Sequence, residues 1–331
     1  MSVPISVIIP IYNGALYLEQ TLRSLLNQTF SDFEIICVDD ESTDSSLEIL
    51  NSIAEKDKRV KVFTKPNGGT AAKALNYGLQ FALGDYFMYS SQDDLFSNDL
   101  LEKNFLKAKS LKADAVVPEM VLYSGDCQNA SYINKIRSEV ITGREAFILS
   151  LDWRIHGFAL WNMKMVRKIG FYDFGLNSDE FTTRMLFFNS KRVVFSEGKF
   201  YYRQNNANAI TKKWNIKQLD FFETSTRIEN FLIQNNFNED TILRVHRTIL
   251  IDLIRIRLLY LNNIKNIESL ERDQVKKALK MIYNNNRAKI KSVKPLGPKQ
   301  LITNKIITLG FSYYLAYTYL YNKYLQIINA K

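Results

Sequence analysis

The sequence predicts an α/β fold, a mostly parallel, doubly wound sheet flanked by helices, with a helical region at its C-terminal end. Three observations predict it. Buried-strand and amphipathic-helix patterns alternate four times within about the first 95 residues, the rhythm of parallel strands joined by crossover helices. Acids recur where those strands end, at Asp39–Asp40 and at Asp93–Asp94. Beyond residue 215 the strand patterns give way to helical periodicity.

The elements follow in order. "ISVIIPIY" (5–12) is a continuous apolar run closed by Asn-Gly, which reads as a strand buried on both faces. "ALYLEQTLRSLLNQ" (15–28) places leucines at near-helical spacing. "FEIICVDD" (33–40) is a second buried strand, and "STDSSLEILNSIAEK" opens a helix with Ser42 or Thr43 as the expected N-cap. "VKVFTK" (60–65), "GTAAKALNYGLQFAL" (69–83) and "DYFMYS" (85–90) give a third strand, third helix and fourth strand. Ligands of such sheets bind at the carboxyl ends of the strands.

Composition bounds the function. The chain has 331 residues, 46% hydrophobic and 24% charged, so it is globular and long enough for one large or two ordinary domains. Two cysteines, Cys37 and Cys127, are too few for a disulfide framework, and Cys37 reads as a small core residue. A reducing, cytoplasmic compartment is expected. The N-terminal "MSVPISVIIPIYNG" lacks a basic leader and reads as a strand, not a signal peptide. The net charge of +10 suits a polyanionic partner: nucleic acid, an anionic membrane face or a phosphorylated ligand. Acids at the strand ends argue against nucleic acid docking there.

Several chemistries are excluded by missing motifs. No G-x-G-x-x-G follows the first strand and no G-x-x-x-x-G-K-[ST] is present, so neither a dinucleotide site nor a P-loop is expected. Cys and His lack zinc-site spacing, and His156 and His246 lie far apart in sequence. His156 reads as packing or as a residue on the acceptor side, and His246, within a helical run, as a packing or surface residue. Side-by-side acids at a strand end suit a hard cation, Mn²⁺ or Mg²⁺, arriving with a diphosphate.

"VIIPIYNGALYLEQTLRSLLNQTFSDFEIICVDDESTD", "NGGTAAKALNYGLQFALGDYFMYSSQDD" and "ALWNMKMVRKIGFYDFGLNSDEFTTRMLFFNSKRVVFSEGKFYYRQNNANAIT" together carry a resemblance. In order they resemble the opening, the metal-motif strand and the acceptor half of family 2 glycosyltransferases of the GT-A, nucleotide-diphospho-sugar transferase fold. The resemblance covers about residues 3 to 211. It implies that Pro10, Tyr12 and Asn13 form a loop holding the nucleoside, and that Asp40 accepts from the uracil ring N–H. It implies that Asn67 and Lys73 contact base, diphosphate or sugar, and that Asp93 is the metal ligand with Asp94 beside sugar or metal. Ser91 and Gln92 complete the donor segment. Asp179 or Glu180 would be the catalytic base, with Asp179 favoured because its shorter side chain matches the usual residue.

Three positions depart from the family pattern. Glu41 stands where glycine is usual, Leu75 where many members carry an arginine, and Ser91 replaces the first acid of the D-x-D motif. Tyr201, Tyr202 and Arg203 read as packing plus a surface charge, with direct sugar contacts as the alternative.

The expected division is a nucleotide-sugar-binding half (1–112), an acceptor-binding half (113–215) and a helical C-terminal region (216–331). The segment from Lys276 to Lys305 is rich in Lys and Arg and contains no acid. The tyrosine-rich, moderately apolar stretch after it fits an interfacial helix on an anionic membrane surface, with a packed terminal helix as the alternative. The resemblance implies an inverting, metal-dependent transferase moving a hexose or N-acetylhexosamine from a UDP-sugar to a surface glycan or lipid-linked glycan, without nucleic acid. Alternatives are another donor, such as dTDP-rhamnose, or a non-catalytic nucleotide- or glycan-binding relative. The expected location is cytoplasmic, peripheral on the inner membrane face if the tail binds there.

Overall fold

The structure, a computed structural model, describes residues 3–125, 131–133, 140–210, 212–295 and 297–329; Cys127 and Thr211 lie outside them. The chain forms two compact units, residues 1–174 with 178–206 and residues 175–177 with 207–331.

The first unit is built on one ten-stranded sheet. Its strands are β1 (Ile5–Ile11), β2 (Phe33–Asp39), β3 (Val60–Thr64), β4 (Tyr86–Tyr89), β5 (Leu95–Phe96), β6 (Ala115–Tyr123), β7 (Ser131–Ile133), β8 (Val140–Ile141), β9 (Leu160–Asn162) and β10 (Val193–Arg203). The main path runs β3-β2-β1-β4-β9-β6-β10-β5, with β7 beside β6 and β8 beside β10. β1 pairs parallel with both β2 and β4, while β9 runs antiparallel between β4 and β6. The sheet is therefore mixed and mostly parallel where the sequence alternates strand and helix.

Apolar residues sort to the two faces by the two-residue period of a strand. Ile5, Val7, Ile9 and Ile11 join Leu18, Leu22 and Leu25 of α1 (Ala15–Leu26) and Leu50 of α2 (Ser46–Lys56) in one core. Ile8 faces the other way, toward α3 (Ala71–Leu79), which lies so close that a Cβ on Gly78 would come 2.7 Å from Ile8 Cγ2. Cys37 is fully buried, as expected, and burial pushes its thiol pKa up. The α2 start corrects the sequence expectation. The helix begins at Ser46, and Ser42 and Thr43 do not cap it but bind Asn13 instead.

The first unit also contains α4 (Leu100–Leu111), α5 (Gly143–Ser150), α6 (Met163–Ile169) and α7 (Ser178–Asn189). The second unit is helical: α8 (Asp220–Gln234), α9 (Glu239–Asn263), α10 (Ser269–Ser292), α11 (Pro298–Leu309) and α12 (Phe311–Asn329). Its helices are tied by Tyr260, Ile267, Val275 and Leu279, which pack with Trp214 and Phe311. His246 packs within the unit: its ring bonds Glu229 at 2.9 Å and Ser292 at 2.8 Å, and Glu229 also pairs with Lys289. Among the described residues no helix is long and apolar enough to cross a membrane.

Candidate active site

The strand order reverses at β1, with β2 and β3 on one side and β4 on the other. Such switch points open a crevice at the strand carboxyl ends. Proline shapes the crevice. Pro10 lies within β1, as the strand reading of 5–12 has it, and Tyr12 and Asn13 lie in the loop beyond. The β1–β4 register ends at Ile8 opposite Tyr89, and the last bond on that edge runs from Ser90 N–H to Ile8 O (3.2 Å). By strand alternation the edge that Pro10 presents to β4 is the one where pairing has already stopped, so its missing N–H breaks no ladder.

Two loops meet beyond β1. Gln92 donates its amide to Tyr12 O (3.0 Å) and accepts from Tyr12 N–H (2.8 Å), which pins the β1 exit to the loop after β4. Asn13 adopts φ 51° and accepts from Thr43 N–H at 2.7 Å, so it braces the loop after β2. Tyr12 is left with its ring exposed.

Asp40 is buried at the end of β2, where it pairs with Lys65 and accepts from Gly68 N–H at 3.0 Å. The neighbouring Glu41 keeps φ 64°, the left-handed conformation that glycine adopts without cost. The loop thus retains the glycine-type backbone despite the substitution, and the Glu41 carboxylate accepts from Asn67 N–H (3.0 Å). The Asn67 side-chain oxygen accepts in turn from Gly69 N–H (2.7 Å). Lys73 reaches Gly68 O at 3.1 Å and Asp173 at 3.5 Å. The cation nearest the Asp40 carboxylate is Lys65, and Lys73 lies beside the same loop.

The second acid pair is held by the end of β10. Asp93 accepts from Ser91 Oγ on one oxygen and from Asn206 Nδ2 (2.7 Å) on the other. Asp94 accepts from Arg203 N–H at 3.0 Å, and its other oxygen is buried without a hydrogen-bond partner among the described residues. Burial, with the Asp93 charge next, pushes the Asp94 carboxyl well above the usual carboxylate range. Arg203 is not the surface charge the sequence suggested. It is only 8% exposed, donates to Asp93 O (2.6 Å) and Gln20 (3.0 Å), and lies 4.0 Å from the Tyr17 ring centre.

These residues fit a hard divalent cation. A carboxylate has about four acceptor positions, so Asp93 keeps capacity after two hydrogen bonds. The orphaned Asp94 oxygen adds an unsatisfied acceptor alongside. Among the described residues no three or more His, Cys, Asp or Glu side chains converge on one point. A cation held by Asp93 would complete its shell with ligand oxygens, as Mg²⁺ does with phosphates.

The third acid pair opens α7. Glu180 is tied to Arg184, one turn later, and Arg184 also donates to Ser150 O at 3.1 Å. Asp179 is partly buried. Loss of water, reinforced by the Glu180 charge, pushes its pKa up to about 7, against the opposing N–H groups of Glu180 and Asp179 at the helix start. Tyr202 connects this pair to the other. Its phenol is pushed up to about 12 by burial first, then by Asp94, Asp93, Glu180 and Asp179. Charges from both acid pairs therefore act on one side chain of β10. Asn76 positions the approach to α7 by a reciprocal pair of bonds with Phe171, at 2.7 and 2.8 Å. His156 is buried against Phe158 and Phe200, bonds Pro118 O (3.0 Å), and burial lowers its pKa to about 4. It is a neutral core residue.

Lys65, Arg203 and Asn206 belong to the site by geometry but were not singled out as site residues from the sequence. For Lys65 the available signal was its place at a strand end, two residues before Asn67. For Arg203 and Asn206 it was their place just after the apolar run of the last long strand.

A family model described as glycosyl transferase family 2 matches residues 6–188. An uncharacterized glycosyltransferase of Haemophilus influenzae is 49% identical over 109 residues, 32% of this chain and 44% of that protein. This chain therefore spans less than half of that relative. Glycosyltransferase GlyG of Streptococcus pneumoniae is 28% identical over 232 residues, 65% of this chain and 76% of the relative. The S. aureus TarS 1–349 crystal structure in complex with UDP-GlcNAc superposes with a TM-score of 0.65 at 18% identity, over 97% of this chain and 92% of that one. The fold is thus that of GT-A enzymes. With the family pattern matched across more than half its length, the chain belongs to glycosyl transferase family 2.

Proposed function

We propose that the protein is an inverting transferase that moves a hexose or N-acetylhexosamine from a UDP-sugar to a hydroxyl of a surface glycan or lipid-linked glycan. The observation that carries this reading is the acid pair that opens α7, in which Arg184 is engaged by Glu180 and leaves Asp179 without a cationic partner among the described residues, its carboxyl raised to about 7. A general base works best with a pKa near the working pH. Asp179 takes the proton from the acceptor hydroxyl as that oxygen attacks the anomeric carbon, and the glycosidic bond to the diphosphate breaks in the same displacement. One displacement inverts the configuration. Asp40, charge-compensated by Lys65, offers an acceptor for the base of the nucleotide. Asp93, oriented by Ser91 and Asn206, would hold Mn²⁺ or Mg²⁺ together with the diphosphate. That cation would supply charge neutralisation on the leaving group. The fold shared with TarS, crystallised with UDP-GlcNAc, supports a UDP-linked donor.

The test is direct. Purified protein is incubated with a panel of nucleotide sugars and oligosaccharide acceptors, and the anomeric configuration of the product is read by NMR. A product with inverted configuration, formed from a UDP-sugar and lost in Asp179→Asn, is expected. Retained configuration would remove single displacement from consideration.

A further inference from the structure

We propose that the outer face of α11 and α12 docks on an anionic lipid surface. This goes beyond the transferase reading and does not depend on it. Both helices bury polar residues beside Ile307 and Tyr314 and leave large apolar side chains outside. On α12 the residues turned inward are Tyr314, Thr318 and Asn322, spaced four apart, while Tyr313, Leu320, Tyr324 and Ile327 face outward. Thr318 is 0% exposed and Leu320 is 67% exposed. On α11 Thr303 and Asn304 are buried, and Ile302 and Leu309 are about as exposed as Leu320.

Several of the inner polar groups are hydrogen-bonded. Tyr314 Oη donates to Leu253 O (2.8 Å), Asn304 Nδ2 to Val293 O (3.2 Å), and Thr303 bonds Tyr317 (2.8 Å). A helix of a water-soluble unit buries its apolar stripe. These two also bury Thr303, Asn304, Thr318 and Asn322, and the Leu, Ile and Tyr side chains left outside form an apolar face that a partner can cover. A groove beside α12, lined by Ile251, Ile254, Leu258 and Tyr321, extends the apolar surface onto α9.

Charge selects the occupant. Residues 207–331 hold 21 Lys and Arg against 9 Asp and Glu, a formal +12, while the remainder of the chain sums to −2. No acid follows Asp273. Exposed Lys291, Lys294 and Lys305 adjoin the apolar helices in sequence. A second copy of this unit would bring +12 against +12, whereas an anionic bilayer complements it. Tyrosine is favoured at the level of lipid headgroups. Since no described helix can span a membrane, the contact is interfacial.

The experiment is co-sedimentation of the full chain with vesicles of phosphatidylcholine alone and of phosphatidylcholine mixed with phosphatidylglycerol. Binding is expected only to the mixed vesicles and weakens as salt is raised. Leu320→Asp with Ile327→Asp lowers the bound fraction by about tenfold or more. Lys291→Glu with Lys294→Glu does so by removing charge while leaving the apolar face intact. All these side chains are exposed, so the urea midpoint and UDP affinity of both variants should match the parent. Failure of the parent to bind the mixed vesicles, or unchanged binding by both variants, overturns the proposal. Self-association through this face without vesicle binding, abolished by the Leu320 and Ile327 changes, also overturns it and assigns the face to a second copy.

Discussion

Arg184 pairs with Glu180, and not with Asp179, although the two acids are adjacent on α7. The pairing separates their chemistry. Glu180 is the partner of a buried guanidinium, and Asp179 is left without one among the described residues, its pKa raised to about 7. Asp179→Asn is therefore expected to lower transfer by about 10²-fold or more, the scale of general-base catalysis. UDP affinity should stay within a few-fold of the parent. Glu180→Gln should lose less activity but some stability, because it leaves the Arg184 charge without its carboxylate. Steady-state kinetics with isothermal titration of UDP decides it; the opposite ranking would move the base to Glu180.

The raised pKa of Asp179 predicts a pH profile. The base works only when deprotonated, so kcat/KM should rise through a limb near pH 7. Glu180 is a like charge that contributes to the rise, so Glu180→Gln should move the limb to lower pH. The stability sign is opposite to that of a salt-bridged acid. Between the ordinary value of 3.8 and about 7 the native state binds more protons than the unfolded chain, so stability falls as pH rises through that window. Asp179→Asn should thus unfold at higher urea than the parent at pH 8, and the difference should vanish near pH 4.

Much of the fold was legible in the sequence because its cues are local. The run "ISVIIPI" is buried on both faces but for the half-buried Pro10, and its apolar continuity and length say so without tertiary information. Asp39–Asp40 and Asp93–Asp94 stood out because they follow runs that read as strands. Their supports did not. Gln92 acts on Tyr12 across 80 residues, and Asn206 acts on Asp93 across 113. Such pairs leave no periodic trace. Arg203 was misread as a surface charge because a basic residue after a strand is usually solvated; here Tyr17 and the Asp93–Asp94 loop enclose it. Ser42 and Thr43 had the composition of an N-cap, but Asn13 from a different loop competes for them.

Asp40 ends a strand, yet it is buried and paired, so its removal should not leave the fold untouched. Asp40→Ala strands the Lys65 ammonium and the Gly68 N–H, and a loss of roughly 2–3 kcal/mol is expected, since Lys65 keeps its bond to Pro66 O. Asp40→Asn keeps the shape and should lose less. Urea unfolding of both variants, followed by UDP titration under native conditions, separates stability from binding. Equal stability of Asp40→Ala and parent would mean that the ion pair contributes nothing.

Glu41 combines a strained backbone with a useful side chain. Glu41→Ala keeps φ positive and loses the bond to Asn67 N–H, so about 1 kcal/mol of destabilisation is expected. Glu41→Gly loses the same bond but relieves about 1 kcal/mol of left-handed strain, offset in part by the greater freedom of the unfolded chain. The glycine variant should therefore be the more stable of the two. If alanine matches glycine, the backbone at this position stores no strain.

Ser91 gives the most specific test of the donor site. Its hydroxyl donates to Asp93, and it stands where a second carboxylate would complete the acidic motif. Ser91→Ala removes one hydrogen bond and should cost about 1 kcal/mol, the same with and without cation. Ser91→Asp instead places a further carboxylate beside Asp93 and the buried Asp94, whose carboxyl is already raised by burial and by its neighbour. In EDTA that variant should melt below Ser91→Ala, because like charges in a poorly hydrated loop repel. Adding Mn²⁺ with UDP should raise its Tm by more than it raises that of the parent, since a cation offsets the added repulsion and gains an oxygen ligand. Thermal melts of the three proteins in EDTA, in Mn²⁺ alone and in Mn²⁺ with UDP read this out. A Ser91→Asp protein that gains no more than the parent would place the cation away from Asp93.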